Sequence, residues 1–126
     1  MDQTICLDSD MLIYYLRKKD KGVKVRELIE QGKKVCTTSI NAFELQTGTE
    51  GTEVIEKFLL TIPIIDFDKS AAHVAATVYK KLKSNGNLIE SRDLFIGAIC
   101  IANNFILLTN NHRHFERVPN LKLFND

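Results

Sequence analysis

The chain has 126 residues, 44% hydrophobic and 26% charged, the size and balance of one globular domain rather than of a disordered tail. No apolar run approaches the roughly 18 residues of a membrane span. Its 17 basic and 16 acidic residues leave a formal charge of +1. That balance lends no support to a broad phosphate-neutralising surface, yet an acidic site would cancel basic residues elsewhere in the sum.

In chain order, Thr4 to Asp8 is a short apolar strand pattern, followed by a helical pattern through Leu12, Ile13 and Leu16. The basic run Arg17, Lys18, Lys19, Lys21, Lys24 and Arg26 reads first as a solvated helix end and loop. A helix is expected over Lys24 to Glu30, closed by Gly32, and a strand over Lys34 to Thr38. Ser39 is the expected N-cap of a helix reaching about Thr47, with Gly48 as its stop. Val54, Ile55, Phe58 and Leu59 form the stripe of the next helix. Ile62 to Phe67 reads as a strand, with Pro63 indicating an edge or a strand start. Ser70 to Leu82 is the clearest helix, with Ala71, Val74, Ala75, Val78 and Leu82 at helical spacing. Asn85-Gly86-Asn87 breaks it. A helix over about Arg92 to Asn103, a buried strand Phe105 to Thr109 and a last strand at Leu121 to Phe124 complete the series.

Strands alternating with helices imply an α/β domain with a parallel sheet covered on both faces. Working residues of such sheets gather beyond the carboxyl ends of the strands. Cys6, Cys36 and Cys100 are dispersed and odd in number, without C-x-x-C spacing, so they are expected to be reduced core residues. The first residues form no basic segment followed by an apolar stretch. A cytosolic protein is the expectation.

Three acids fall where chemistry would be built. Asp8 ends the first strand, where it either faces the crevice at the sheet edge or caps the following helix. Glu44 follows Ile40 by four residues and so shares its face, which is costly for a carboxylate unless it is paired or metal-bound. Asp93 lies in the first turn of its helix beneath Ile96 and Gly97. It either complements the helix dipole or faces the core. After the last buried strand come Asn110, Asn111, His112, Arg113 and His114. Asn111 there is an oxygen ligand or a turn residue, and the two histidines lack the spacing of a metal site. Hard oxygen donors from three elements near one sheet edge suit magnesium or manganese. The chemistry that fits is phosphodiester hydrolysis.

These residues resemble the PIN-domain nucleases, above all the VapC-type toxins of toxin–antitoxin pairs. The resemblance runs through LDSDMLIYYL (Leu7 to Leu16), TTSINAFELQTG (Thr37 to Gly48) and RDLFIGAICIANNFILLTNNHRHFERVPNL (Arg92 to Leu121). It implies a single PIN-like domain over residues 1–126, a three-layer α/β/α sandwich with a mainly parallel central sheet. It also implies a ribonuclease with Asp8, Glu44 and Asp93 as catalytic acids around Mg2+ or Mn2+, leaving 5′-phosphate and 3′-hydroxyl ends. The family's fourth acidic position falls on Asn111, a weaker ligand. Asp10 stands where the family usually has asparagine, and either supplies the missing charge or caps the first helix. His114 replaces an acid that commonly precedes the phenylalanine, here Phe115. Ser39 matches a hydroxyl position that would orient Glu44 or a water. Arg92 either holds a substrate phosphate or forms a surface salt bridge. RNA as substrate, a cognate antitoxin and a homodimer are the implied partners.

Two other readings compete. A haloacid-dehalogenase-type phosphatase would use Asp8 and Asp10, with Thr109 in its second motif, but leaves Glu44 unexplained. A non-catalytic interaction module of PIN fold would be favoured by Asn111 and disfavoured by the three acids.

Overall fold

The molecule is described by a computed structural model, over residues 3–125. Five strands, β1 (Ile5–Leu7), β2 (Val35–Thr38), β3 (Ile64–Ile65), β4 (Ile106–Leu108) and β5 (Lys122–Leu123), form one sheet in the order β3-β2-β1-β4-β5. Every pairing is parallel. Seven helices connect them: α1 (Ser9–Leu16), α2 (Val23–Glu30), α3 (Ser39–Gln46), α4 (Thr52–Leu59), α5 (Lys69–Ser84), α6 (Ser91–Asn103) and α7 (His112–Phe115).

The two-residue period of the strands sorts the core into layers. Ile5, Leu7 and Leu108 face Met11, Leu12, Val25, Leu28, Ala42, Leu45 and Leu59, so α1, α2, α4 and one side of α3 cover that face. Cys6, Cys36 and Leu107 face Ile96, Cys100 and Phe115 of α6 and α7 on the other. Helix α5 lies on α6 through Ala75, Val78, Leu82, Leu94 and Ala98. This is the expected three-layer α/β/α sandwich.

Most boundaries move by a residue or two from the sequence expectation. The strand expected over Ile62 to Phe67 pairs only at Ile64–Ile65. Pro63 has no N–H to donate, but its carbonyl accepts the Thr37 amide at 3.1 Å on the sheet's edge. Beyond Ile65 the chain leaves the sheet: the Phe67 ring packs on Phe95 at 4.5 Å. Thr38, not Ser39, caps α3, because Thr38 is still extended and its Oγ1 accepts the Asn41 amide at 3.1 Å. A short 3-10 turn at Asp20–Gly22 and the four-residue α7 have no sequence counterpart. Both are too short to show a hydrophobic period.

The topology itself creates the site. From β1 the chain moves first to β2 and β3 on one side, then to β4 and β5 on the other. The sheet therefore switches direction beside β1, the place at which α/β sheets form a crevice at the carboxyl ends of their strands. Asp8 follows β1, Thr109 follows β4, and α3 starts directly from β2.

Candidate active site

Asp8 is fully buried, with 0% exposure, and four donors hold its carboxylate. Its Oδ1 accepts the Ser9 amide at 2.8 Å, Asn41 Nδ2 at 2.9 Å and an Arg92 terminal nitrogen at 2.8 Å. Its Oδ2 accepts the Thr109 hydroxyl at 2.7 Å. Of the two alternatives open for Asp8, the cap of α1 is realised, and its other donors reach it from α3, α6 and the residue after β4. A buried carboxylate needs such donors, since leaving one unpaired costs several kcal/mol in order of magnitude.

Asn41 ties α3 to this carboxylate. Its Oδ1 accepts the Thr38 hydroxyl at 2.7 Å, and its Nδ2 also donates to Ser9 Oγ at 2.9 Å. Ser9 Oγ in turn donates to Glu44 Oε1 at 2.8 Å. Asn41 and Glu44, three apart on α3, therefore share a face of that helix, and together they pin it to the end of β1.

Arg92 lies in the middle. One terminal nitrogen meets Asp8, the other donates to Asp93 Oδ1 at 2.6 Å, and Nε donates to Glu44 Oε2. Its side chain is 27% exposed, so the surface salt bridge anticipated as one option is instead a half-buried junction of three acids. Burial works against the charged guanidinium, but the bonds to Glu44 and Asp93 and the charge of Asp8 outweigh it and hold its pKa up. Asp93 is buried, and desolvation pushes its carboxyl above the usual range. Arg92 and His114 pull it back, the latter with Nδ1 at 3.5 Å from Asp93 Oδ2.

A comparison of the chain with protein families matches residues 5–121 to the PIN domain. The chain belongs to the PIN-domain family. It is 35% identical over 127 residues to "Ribonuclease VapC2" of Haemophilus influenzae, covering 94% of this chain and 95% of the relative. It is 31% identical over 123 residues to the "tRNA(fMet)-specific endonuclease VapC" of Shigella flexneri, covering 92% of each. Among solved structures, the VapBC2 complex of Rickettsia felis, bound to a DNA fragment from its promoter, contains a chain that superposes with a TM-score of 0.83. Sequence identity there is 29%, over 98% of both chains.

The PIN domain thus brings Asp8, Glu44 and Asp93 together from three elements, as expected from the strand-end rule. The remaining expected residues divide. Asn111 enters the cluster through its backbone, its amide donating to Thr109 Oγ1 at 3.0 Å, while its side chain is exposed. Asp10 is not the N-cap residue of α1 but serves its first turn, its Oδ1 accepting the Met11 amide at 2.6 Å, while its Oδ2 accepts the Asn110 amide at 3.0 Å. It is a clamp between α1 and the segment after β4. Both its oxygens face backbone donors, unlike the free acid that a haloacid-dehalogenase pair needs. Burial and the neighbouring Asp8 charge push the Asp10 carboxyl up. The hydroxyl on Glu44 comes from Ser9, not Ser39, whose Oγ accepts the Phe67 amide at 3.3 Å.

Sequence reasoning did not single out Ser9, Asn41 or the Thr109 contact to Asp8. The available signal was Ser9 directly beside Asp8 and Asn41 three residues before Glu44. The donor set fits a divalent cation in chemistry: three carboxylates from three elements already converge on one positive group. Their spacing, however, is that of the guanidinium, and among the described residues no three acids, histidines or cysteines stand close enough together to ligate one ion.

Proposed function

We propose that this PIN domain is a divalent-metal-dependent endoribonuclease, with Asp8, Glu44 and Asp93 as its catalytic acids, and the toxin of a toxin–antitoxin pair. The convergence of those three carboxylates on a single cationic position at the sheet's switch point carries the reading. The names of the two relatives support it, since one is called a ribonuclease and the other an endonuclease. The Rickettsia felis structure, a VapBC2 complex, supports a cognate antitoxin as partner. The homodimer remains part of the proposal.

Magnesium or manganese would be held by Asp8 and Asp93, with Glu44 as a third ligand or as the group orienting water. Such an ion supplies Lewis acidity at the scissile phosphate and eases deprotonation of the attacking water. The protein's part is preorganisation. Ser9, Asn41 and Thr109 hold the Asp8 carboxylate in one orientation, so no reorganisation is needed when charge develops on the phosphate. Glu44 is the most accessible of the three acids, its side chain 30% exposed, and its Oε1 is aligned by Ser9. That exposure supports Glu44 as the acid that accepts a hydrogen bond from the attacking water. The buried Asp8 has no room for that role.

The test is cleavage of a mixed structured-RNA pool by antitoxin-free protein in magnesium, manganese or chelator, with Asp8→Asn and Asp93→Asn as controls. Metal-dependent cuts that vanish in both variants establish the nuclease. Folded protein that binds metal yet cuts no RNA in the pool would replace it with a non-catalytic interaction module.

A further inference from the structure

The position of Arg92 runs against local electrostatics. It is the second residue of α6, where backbone N–H groups and the helix dipole favour anions and disfavour a cation. The neighbouring side chains reverse this preference. Each of its three guanidinium nitrogens takes a different carboxylate, from the end of β1, from α3 and from its own helix. A planar guanidinium offers donors in fixed directions, so it templates the three acids as a compact ion would.

A divalent ion and this guanidinium require the same oxygens. Oxygen ligands approach such ions at about 2.0–2.6 Å. With the guanidinium among them, no three acids, histidines or cysteines of the described residues stand close enough together to ligate one ion. With 27% of its side chain exposed, Arg92 has a way out toward solvent that the buried Asp8 lacks.

We propose that Arg92 is a resident counter-cation of the acid cluster that must be displaced before a divalent ion is bound. It holds the three carboxylates together when no ion is present, and competes with the ion for them. This rests on the metal-dependent reading above, but on its metal binding alone and not on RNA cleavage. The apparent metal affinity is lowered by the fraction of molecules in which the guanidinium occupies the cluster.

The experiment is a Mn2+ titration, by calorimetry or by the electron paramagnetic resonance of free Mn2+, of full-length wild type, Arg92→Gln and Arg92→Lys. Thermal unfolding in chelator and in Mn2+ accompanies it. Lysine keeps the charge but offers one ammonium group in place of three bridging nitrogens. Both variants are expected to bind Mn2+ more tightly than wild type, Arg92→Gln by about tenfold or more. Both should melt lower in chelator, and Mn2+ should raise their Tm more than that of wild type.

Equal or weaker Mn2+ binding in Arg92→Gln overturns the proposal, as does no Mn2+ binding by any form. Tightening in Arg92→Gln with unchanged Arg92→Lys also overturns it, because overall charge rather than occupancy would then be responsible. If Arg92→Gln fails to fold, Arg92→Lys decides alone. Tighter Mn2+ binding without RNA cleavage keeps this inference and defeats the nuclease; cleavage with unaltered metal affinity does the reverse.

Discussion

Replacing Thr109 by valine isolates one strut of the site. Threonine and valine have nearly the same shape, so the change removes a hydroxyl and little else. Among the described residues that hydroxyl is the one hydrogen-bond donor to Asp8 Oδ2, at 2.7 Å, whereas the other three donors all meet Oδ1. Asp8 and Thr109 are both buried, so water cannot readily take over. A hydrogen bond to an ionised group contributes about 1.5–3 kcal/mol, and about 2 kcal/mol is the expected loss. For a domain of this length that corresponds to a Tm lower by roughly 6–10 °C. The Asn111 amide also loses its acceptor, but Asn111 is exposed and finds solvent. The control is Thr109→Ser, which keeps the hydroxyl and deletes one methyl group, at a cost of about 1 kcal/mol. Thermal unfolding in chelator measures both without interference from metal. A valine variant as stable as the serine variant would refute the idea that Oδ2 depends on this donor.

Four further outcomes follow from the packing and the electrostatics. A Cβ added at Gly22 would lie 2.4 Å from the Tyr15 backbone nitrogen and 2.5 Å from the Tyr14 carbonyl carbon. Gly22→Ala should therefore cost about 1–3 kcal/mol or more; a neutral result in denaturant unfolding would refute the close approach. At Gly97 the nearest neighbour would be Val118 Cγ1 at 3.5 Å, an ordinary contact. Gly97→Ala should be neutral or stabilising by up to about 1 kcal/mol in the same assay, since alanine favours the helix. Cys6, Cys36 and Cys100 are buried side by side, and the hydrogen bonding of the Cys6 thiol with Cys100 and Cys36, then burial, push that thiol up. A thiol reagent should label none of them until denaturant is added; rapid labelling of the native protein would contradict this. Desolvation and the Asp8 charge raise the Asp10 carboxyl above its unfolded value of 3.8. In the window just above 3.8 the native state then holds more proton than the unfolded chain, so this group's contribution to stability falls as pH rises. A carboxyl-carbon NMR titration should place its midpoint above 3.8, and a midpoint below would reverse the sign.

The fold was legible because its elements are long enough to display a period. Ala71, Val74, Ala75, Val78 and Leu82 mark α5 by spacing alone, and of these Ala71, Ala75, Val78 and Leu82 are buried. Alternation of Ile5, Cys6 and Leu7 between two core clusters could not be read from the strand itself, since all three residues are apolar and buried. A fully buried strand hides which face each residue takes. The 3-10 turn and α7, at three and four residues, carry no period, and Phe115 becomes a core residue only through contact with α6 and the sheet.

Within the site, legibility divides by what the local chain already satisfies. Asp8, Glu44 and Asp93 stood out because a carboxylate after a strand or on an apolar face needs a partner from elsewhere. Asn41 and Thr109 each have an ordinary local role, as a polar helix residue and as the residue closing a strand. Only the parallel order of β2, β1 and β4 sets their side chains on either side of Asp8. Arg92 was the more instructive case. A basic residue in a first helical turn reads as solvated, since neither the dipole nor the hydrophobic pattern gives it reason to turn inward. Its inward position follows from three acids that are 84, 48 and 1 residues away in sequence. The cation at the centre of the cluster is thus a product of topology, and its removal tests the site more directly than removal of any single acid.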